Sequence, residues 1–253
     1  MKKVFTWVAL AAAAFTATMS AQAGVLRSTI DFETPIDGSP FLTYAPLPIL
    51  GNGDEFYQPG LGSHAMYFDP FSNSGSANPG DLVGAMITGT DPCSSVQCPV
   101  NNASTYIGLL DDAVVAFGAI DGFRFSVKSF KASFIGNGDP VADLPGYVRL
   151  QGVRNNVSTT ATFALTGPDT DKNLNFATID TGAFGNTEFD FVYAYGFACP
   201  TPGTKGSCSA FSTDRAQFAL DDIVIEHVPE PASLALLSIA GLAAFRASRR
   251  RAV

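Results

Sequence analysis

From Gly24 to Val228 the chain alternates apolar and polar side chains in short bursts, with turn-forming residues between them. Leu26, Ser28, Ile30 and Phe32 share one parity, and Arg27, Thr29, Asp31 and Glu33 the other. A period of two marks a strand with one buried face. Phe123, Phe125 and Val127 repeat the pattern, and Phe130, Ala132 and Phe134 carry it on in the opposite parity. That switch around Lys128 and Ser129 predicts a β-bulge or a strand corner. Shorter runs cover 147–154, 157–165 and 174–179. The clearest run is Phe189, Phe191, Tyr193, Tyr195 and Phe197, with Glu188 and Asp190 on the other parity. Five large rings at period two predict the buried face of a central strand. No stretch keeps a helical period for three turns, so the pattern predicts an all-β antiparallel sandwich, one domain over residues 24–227.

Composition agrees with that pattern. Gly and Pro number 24 and 16, which favours turns over long helices. Hydrophobic content of 46% excludes a disordered chain. Between Gly24 and Val228 there are 9 basic and 22 acidic side chains, a net charge of −13. So acidic a body repels a phosphate backbone, which excludes nucleic acid as a partner. The segment 35–78 reads as a long connection rich in Gly, Pro and Asn. A sugar platform is expected to use rings in such a loop: Tyr44, Phe56, Tyr57, Tyr67, Phe68 and Phe71.

The two ends are addresses. Met1-Lys2-Lys3, an Ala-rich apolar run and Ala21-Gln22-Ala23 form a secretory signal peptide over residues 1–23. Its cleavage falls between Ala23 and Gly24, and export by the Sec machinery follows. At the other end, residues 228–253 hold three parts in order. Pro229, Glu230 and Pro231 break regular structure. Residues 232–245 are apolar but for two serines, and Arg246, Arg249, Arg250 and Arg251 follow. As a short transmembrane helix this apolar run rises about 21 Å, less than the roughly 30 Å hydrocarbon core, with arginine stems extending its reach. Positive charge stays in the cytoplasm, which puts the acidic body on the far side of the inner membrane.

Val228 to Ser233, the apolar segment and the arginine cluster together resemble the PEP-CTERM sorting signal of Gram-negative bacteria. Gln217, Phe218 and Asp221, in Gln-Phe-Ala-Leu-Asp just before it, resemble the QFxxD motif of one subfamily. The resemblance implies an exosortase substrate: a precursor tethered in the inner membrane, then cut and released to the cell surface or extracellular matrix. It further implies a non-catalytic protein associated with exopolysaccharide and biofilm, and carries over no molecular activity. Phe32-Glu33 and Leu220 to Ile223 also resemble the paired end strands of jelly-roll carbohydrate-binding modules. That likeness implies a jelly-roll-like sandwich and a structural calcium held by Glu33 and Asp221, with Asp222 as the competing ligand; extracellular calcium sites are oxygen-rich. A carbohydrate-binding module for exopolysaccharide is the alternative function, and a secreted glycoside hydrolase a more distant one.

Four cysteines in an exported chain predict disulfides, paired locally as Cys93–Cys98 and Cys199–Cys208 around Pro/Ser/Gly-rich loops. The mature body has only His64 and His227, and no GxSxG, HExxH or phosphate-binding glycine pattern. The sequence therefore reads as no enzyme, although its many carboxylates leave room for a glycosidase pair.

Overall fold

In the computed structural model the described residues are 24–33, 49–88, 93, 96–136, 146–198, 208–210 and 216–228. Fourteen strands follow one another among them. In chain order these are β1 Leu26–Ile30, β2 Ile49–Gly51, β3 Phe56–Pro59, β4 Ala65–Ser72, β5 Leu82–Ile87, β6 Tyr106–Leu109 and β7 Ala113–Ala119. Then come β8 Ser126–Phe134, β9 Gly146–Arg154, β10 Val157–Leu165, β11 Ala177–Asp180, β12 Phe191–Ala198, β13 Ser209–Ala210 and β14 Phe218–His227. One sheet runs β11-β8-β14-β6-β5-β2, with β1 also on β14; the other runs β10-β9-β12-β7-β4-β3, with β13 also on β12. The two antiparallel sheets pack as a sandwich, the architecture that the alternation predicts. The compact unit spans Arg27–His227.

The predicted parity switch in β8 is a bulge. Ile225 pairs with Val127 but Val224 with Ser129, so Lys128 is an extra residue on β8. Both Val127 and Phe130 can then face the core, while Lys128 and Ser129 between them are half-exposed. A second irregularity lies opposite, between Asp221 and Val224, where Asp222 takes a φ of 46°. That extra residue changes the parity of β14, so Phe218 and Leu220 face the core before it and Ile223 and Ile225 after it. The first and last strands lie side by side, as expected.

The expected long connection over 35–78 is corrected in part, because β2, β3 and β4 lie inside it. Pro70 hides β4 from a strand reading. It is tolerated there because β3 pairs only with Ala65 to Phe68, leaving the β3 side of Pro70 without a ladder bond to lose. At the opposite edge, Asn155 and Asn156, with φ of 50° and 63°, make the two-residue turn joining β9 to β10.

The core is filled by phenylalanine. Phe56, Phe68, Phe117, Phe125, Phe130, Phe189 and Phe218 are at most 2% exposed, and Phe68 stacks on both Phe56 and Phe117 at 5.3 and 5.4 Å. A smaller cluster of Tyr106, Ile135, Phe176 and Ala219 forms apart from this core. Val96 packs on it from the loop closed by the Cys93–Cys98 disulfide, whose Cα atoms are 5.8 Å apart. Gln97 pins that loop through a two-bond bridge to Gly136. Cys208 is also disulfide-bonded; its expected partner Cys199 lies outside the described residues.

Candidate functional site

The aromatic run on β12 points the other way from the prediction. Phe191, Tyr193, Tyr195 and Phe197 are half-exposed, and the buried positions are Val192, Ala194, Gly196 and Ala198. Only Phe189, just before the strand, is in the core. Space decides the parity. A Cβ added at Gly152 of β9 would collide with the Phe189 ring, and one at Gly146 with the Phe134 ring. A Cβ at Gly196 would collide with the Ala216 carbonyl oxygen. The interior side of β12 and β9 is already occupied by rings from elsewhere, so β12 puts small residues inward and its rings outward.

These outward rings form one wall of a trough. Its floor is β7, whose outward residues Val114, Ala116 and Gly118 are small and whose inward residues Val115, Phe117 and Ala119 belong to the core. On one side β12 aligns Tyr195 with Val114, Tyr193 with Ala116 and Phe191 with Gly118. On the other, β4 aligns Phe71, Asp69 and Tyr67 with the same three floor residues. The result is a groove of about 410 Å³ lined by Tyr67, Asp69, Phe71, Ala116, Phe191 and Tyr193. Phe71 and Phe191 each meet the Tyr193 ring edge-on, at 6.2 and 5.3 Å. Gly118 has a steric reason: a Cβ there would lie 2.8 Å from Tyr67 Cε1.

Asp69 is the charged member of the trough. Its carboxylate has no hydrogen-bond donor within reach among the described residues, and burial, then the charge of Glu55, raise its pKa above the ordinary carboxylate value. Burial raises the Tyr67 hydroxyl as well, with smaller contributions from Tyr193, Glu55 and Asp69. Glu55 itself accepts a hydrogen bond from the Tyr57 hydroxyl. Beyond the trough a second depression of about 250 Å³ is lined by Tyr147, Arg149, Thr162, Phe197 and Cys208. There the Arg149 guanidinium lies 4.5 Å from the Phe197 ring centre, and its Nε donates to Thr162 Oγ1 at 2.9 Å.

Of the rings expected to serve as a loop platform, Tyr57, Tyr67 and Phe71 do face outward, but from strands β3 and β4. Phe56 and Phe68 are core residues, and Tyr44 is outside the described residues.

The Gln-Phe-x-x-Asp residues are structural. Phe218 enters the core, while Gln217, Ala219 and Asp221 share the opposite parity and are all buried. Asp221 Oδ2 accepts from Asn102 Nδ2 at 2.7 Å and from Ser104 Oγ at 2.8 Å, and its Oδ1 accepts from the Asp222 N–H at 2.8 Å. Gln217 Nε2 lies 3.4 Å from Asp111 Oδ1. Because β6 runs antiparallel beside β14, with Phe218 opposite Leu109 and Leu220 opposite Ile107, these two side chains hold the segments entering and leaving β6. Burial raises the Asp221 pKa, against the lowering effect of its hydrogen bonds. Burial, assisted by the Asp221 charge, pushes Tyr106 up to about 12.

Glu33 is exposed and accepts from Thr105 N–H, with Thr105 Oγ1 at 3.3 Å from its other oxygen. Glu33 and Asp221 thus grip the same segment, 102–105, through hydrogen-bond donors. No three His, Cys, Asp or Glu side chains converge as a metal site among the described residues. The competitor Asp222 pairs with Lys131 at 2.6 Å.

The histidines sit on either side of Phe123, with ring centres 4.0 Å from it for His64 and 4.1 Å for His227. His64 Nδ1 is 2.5 Å from Asp121 Oδ2. His227 Nδ1 is 2.9 Å from Glu188 Oε1, near enough for an ion pair although not aligned as a hydrogen bond. His227 is the last residue of β14.

Ala23, Pro229, Glu230, Pro231, the apolar segment and the four terminal arginines lie outside the described residues. A comparison bears on the C-terminal residues of this set. The PEP-CTERM protein-sorting motif matches residues 227–251. No curated protein matches the chain. The matched signal implies export and a membrane-anchored precursor processed by exosortase, and the chain carries a PEP-CTERM sorting motif over residues 227–251.

Proposed function

We propose that the sandwich is a non-catalytic glycan-binding domain, delivered by exosortase processing to the cell surface or extracellular matrix and associated there with exopolysaccharide. The observation that carries this reading is the trough, with small residues along its floor and half-exposed rings along both walls. Large rings are held outward on rigid strands, where a sugar ring can stack on them and its hydroxyls can reach Asp69 and the tyrosine hydroxyls. The delivery signal supports the same destination, since exopolysaccharide is met only outside the cell.

Affinity electrophoresis of the purified chain through gels containing bacterial exopolysaccharides tests the reading. At least one polymer should retard the wild type, and a Phe71→Ala/Tyr193→Ala variant should migrate freely. Equal retardation of the two proteins would remove the trough from the account. Sugar release abolished by Asp69→Asn would replace binding with hydrolysis.

A further inference from the structure

The geometry points to a glycan carrying free amino groups as the occupant of the trough, with Asp69 receiving the ammonium between the rings of Tyr67, Phe71 and Tyr193. This inference rests on the glycan-binding reading and narrows its ligand. Three observations converge on it. First, among the described residues the only charged side chain lining the groove is Asp69, half-buried and without a donor of its own. A carboxylate in that position gains from a ligand that brings donors, and most from one that brings positive charge. Second, aromatic side chains flank it from both walls. Ring faces attract ammonium groups through their quadrupoles, and a cage of rings beside a carboxylate combines both attractions.

Third, the charges around the groove exclude the opposite ligand. Glu55 adds negative charge at the Tyr67 end, and the mature body carries −13 overall. A uronate or sulfated polymer would meet repulsion along its whole approach. Arg149 does not reverse this, since it lines the separate depression over Phe197. A neutral sugar would stack on the rings but would leave the Asp69 charge uncompensated. An amino sugar supplies the apolar ring face, the hydroxyl donors and the cation in one residue.

The test is calorimetric titration of the full chain with a β-1,4-linked glucosamine tetramer and with its fully N-acetylated counterpart, at a pH where the amines are protonated. The amine form should bind about 10-fold more tightly, the scale of a cation–π contact joined to a charge-assisted hydrogen bond. Asp69→Asn should remove that preference while changing affinity for the acetylated form less than about 2-fold. Asp69→Glu, which keeps the charge, should retain a preference for the amine, and so should Asp171→Asn, which removes a distant exposed charge. Equal binding of the two tetramers by the wild type would overturn the amine inference and leave the glycan reading standing. Failure of every glycan tested to bind would overturn both. A preference that survives in Asp69→Asn, or disappears equally in Asp171→Asn, would show diffuse attraction and overturn the assignment to Asp69.

Discussion

Asp221 offers the sharpest test of the packing argument. It is fully buried and accepts hydrogen bonds from Asn102, Ser104 and Asp222. Replacing it by alanine leaves three donors without their acceptor. Ser104 Oγ retains Asn102 Oδ1 at 2.6 Å, so two donors are stranded. A buried donor without a partner costs about 1–3 kcal/mol, which puts Asp221→Ala near 3 kcal/mol in all. For a domain of this size, that lowers the melting temperature by roughly 6–12 °C. Asp221→Asn keeps one oxygen for Asn102 and Ser104 and should lose about 1–2 kcal/mol. The pH dependence has a definite sign. Burial raises the folded-state pKa of Asp221 above 3.8, so this group favours the folded state most when protonated. Its contribution is complete below the unfolded value and is lost as pH rises through the folded one. The stability advantage of wild type over Asp221→Asn should therefore shrink as pH rises from about 4. Calorimetric melting of the full chain and both variants across that range measures it. An Asp221→Ala variant melting within about 2 °C of wild type would refute the buried-acceptor role, and an advantage that grows with pH would refute the sign.

Other consequences can be checked alongside. Gly118→Ala places a methyl group against the Tyr67 ring, so it should weaken glycan binding by about 3-fold or more while costing no more than about 1–3 kcal/mol in urea denaturation. Glycan affinity should fall on acidification from a pH above the ordinary carboxylate range, because burial and Glu55 hold the Asp69 pKa up; a flat profile would remove Asp69 from the site. Millimolar calcium should leave the melting temperature unchanged, since Glu33 and Asp221 are filled by hydrogen-bond donors; a rise abolished by Asp221→Asn would restore the metal. Mass spectrometry of protein released from cells should find an N-terminus at Gly24 and no terminal arginine cluster, and intact chains ending at Val253 would contradict exosortase processing.

The sandwich was legible because alternation is a local signal, and the bulge in β8 showed as a change of parity between Val127 and Phe130. The orientation of β12 was not legible by the same rule. Opposite its aromatic positions stand Val192, Ala194, Gly196 and Ala198, so both parities are apolar and period two cannot say which faces inward. The deciding fact is non-local: Phe134 and Phe189 fill the interior beside Gly146 and Gly152, leaving room only for small residues. The floor strand β7 was hidden for a related reason, being buried on both faces, with no alternation to read. Asp221 was visible as a conspicuous carboxylate near the chain end, but its partners Asn102 and Ser104 are more than 100 residues away in sequence.

The claim that the outward rings of β4 and β12 form a glycan site is tested most directly by aromatic-ring NMR during titration with a bound oligosaccharide. Phe71, Phe191 and Tyr193 should shift together and saturate with one affinity, while the core rings of Phe68 and Phe117 keep their positions. Saturable binding that leaves all three trough rings unmoved would contradict the account.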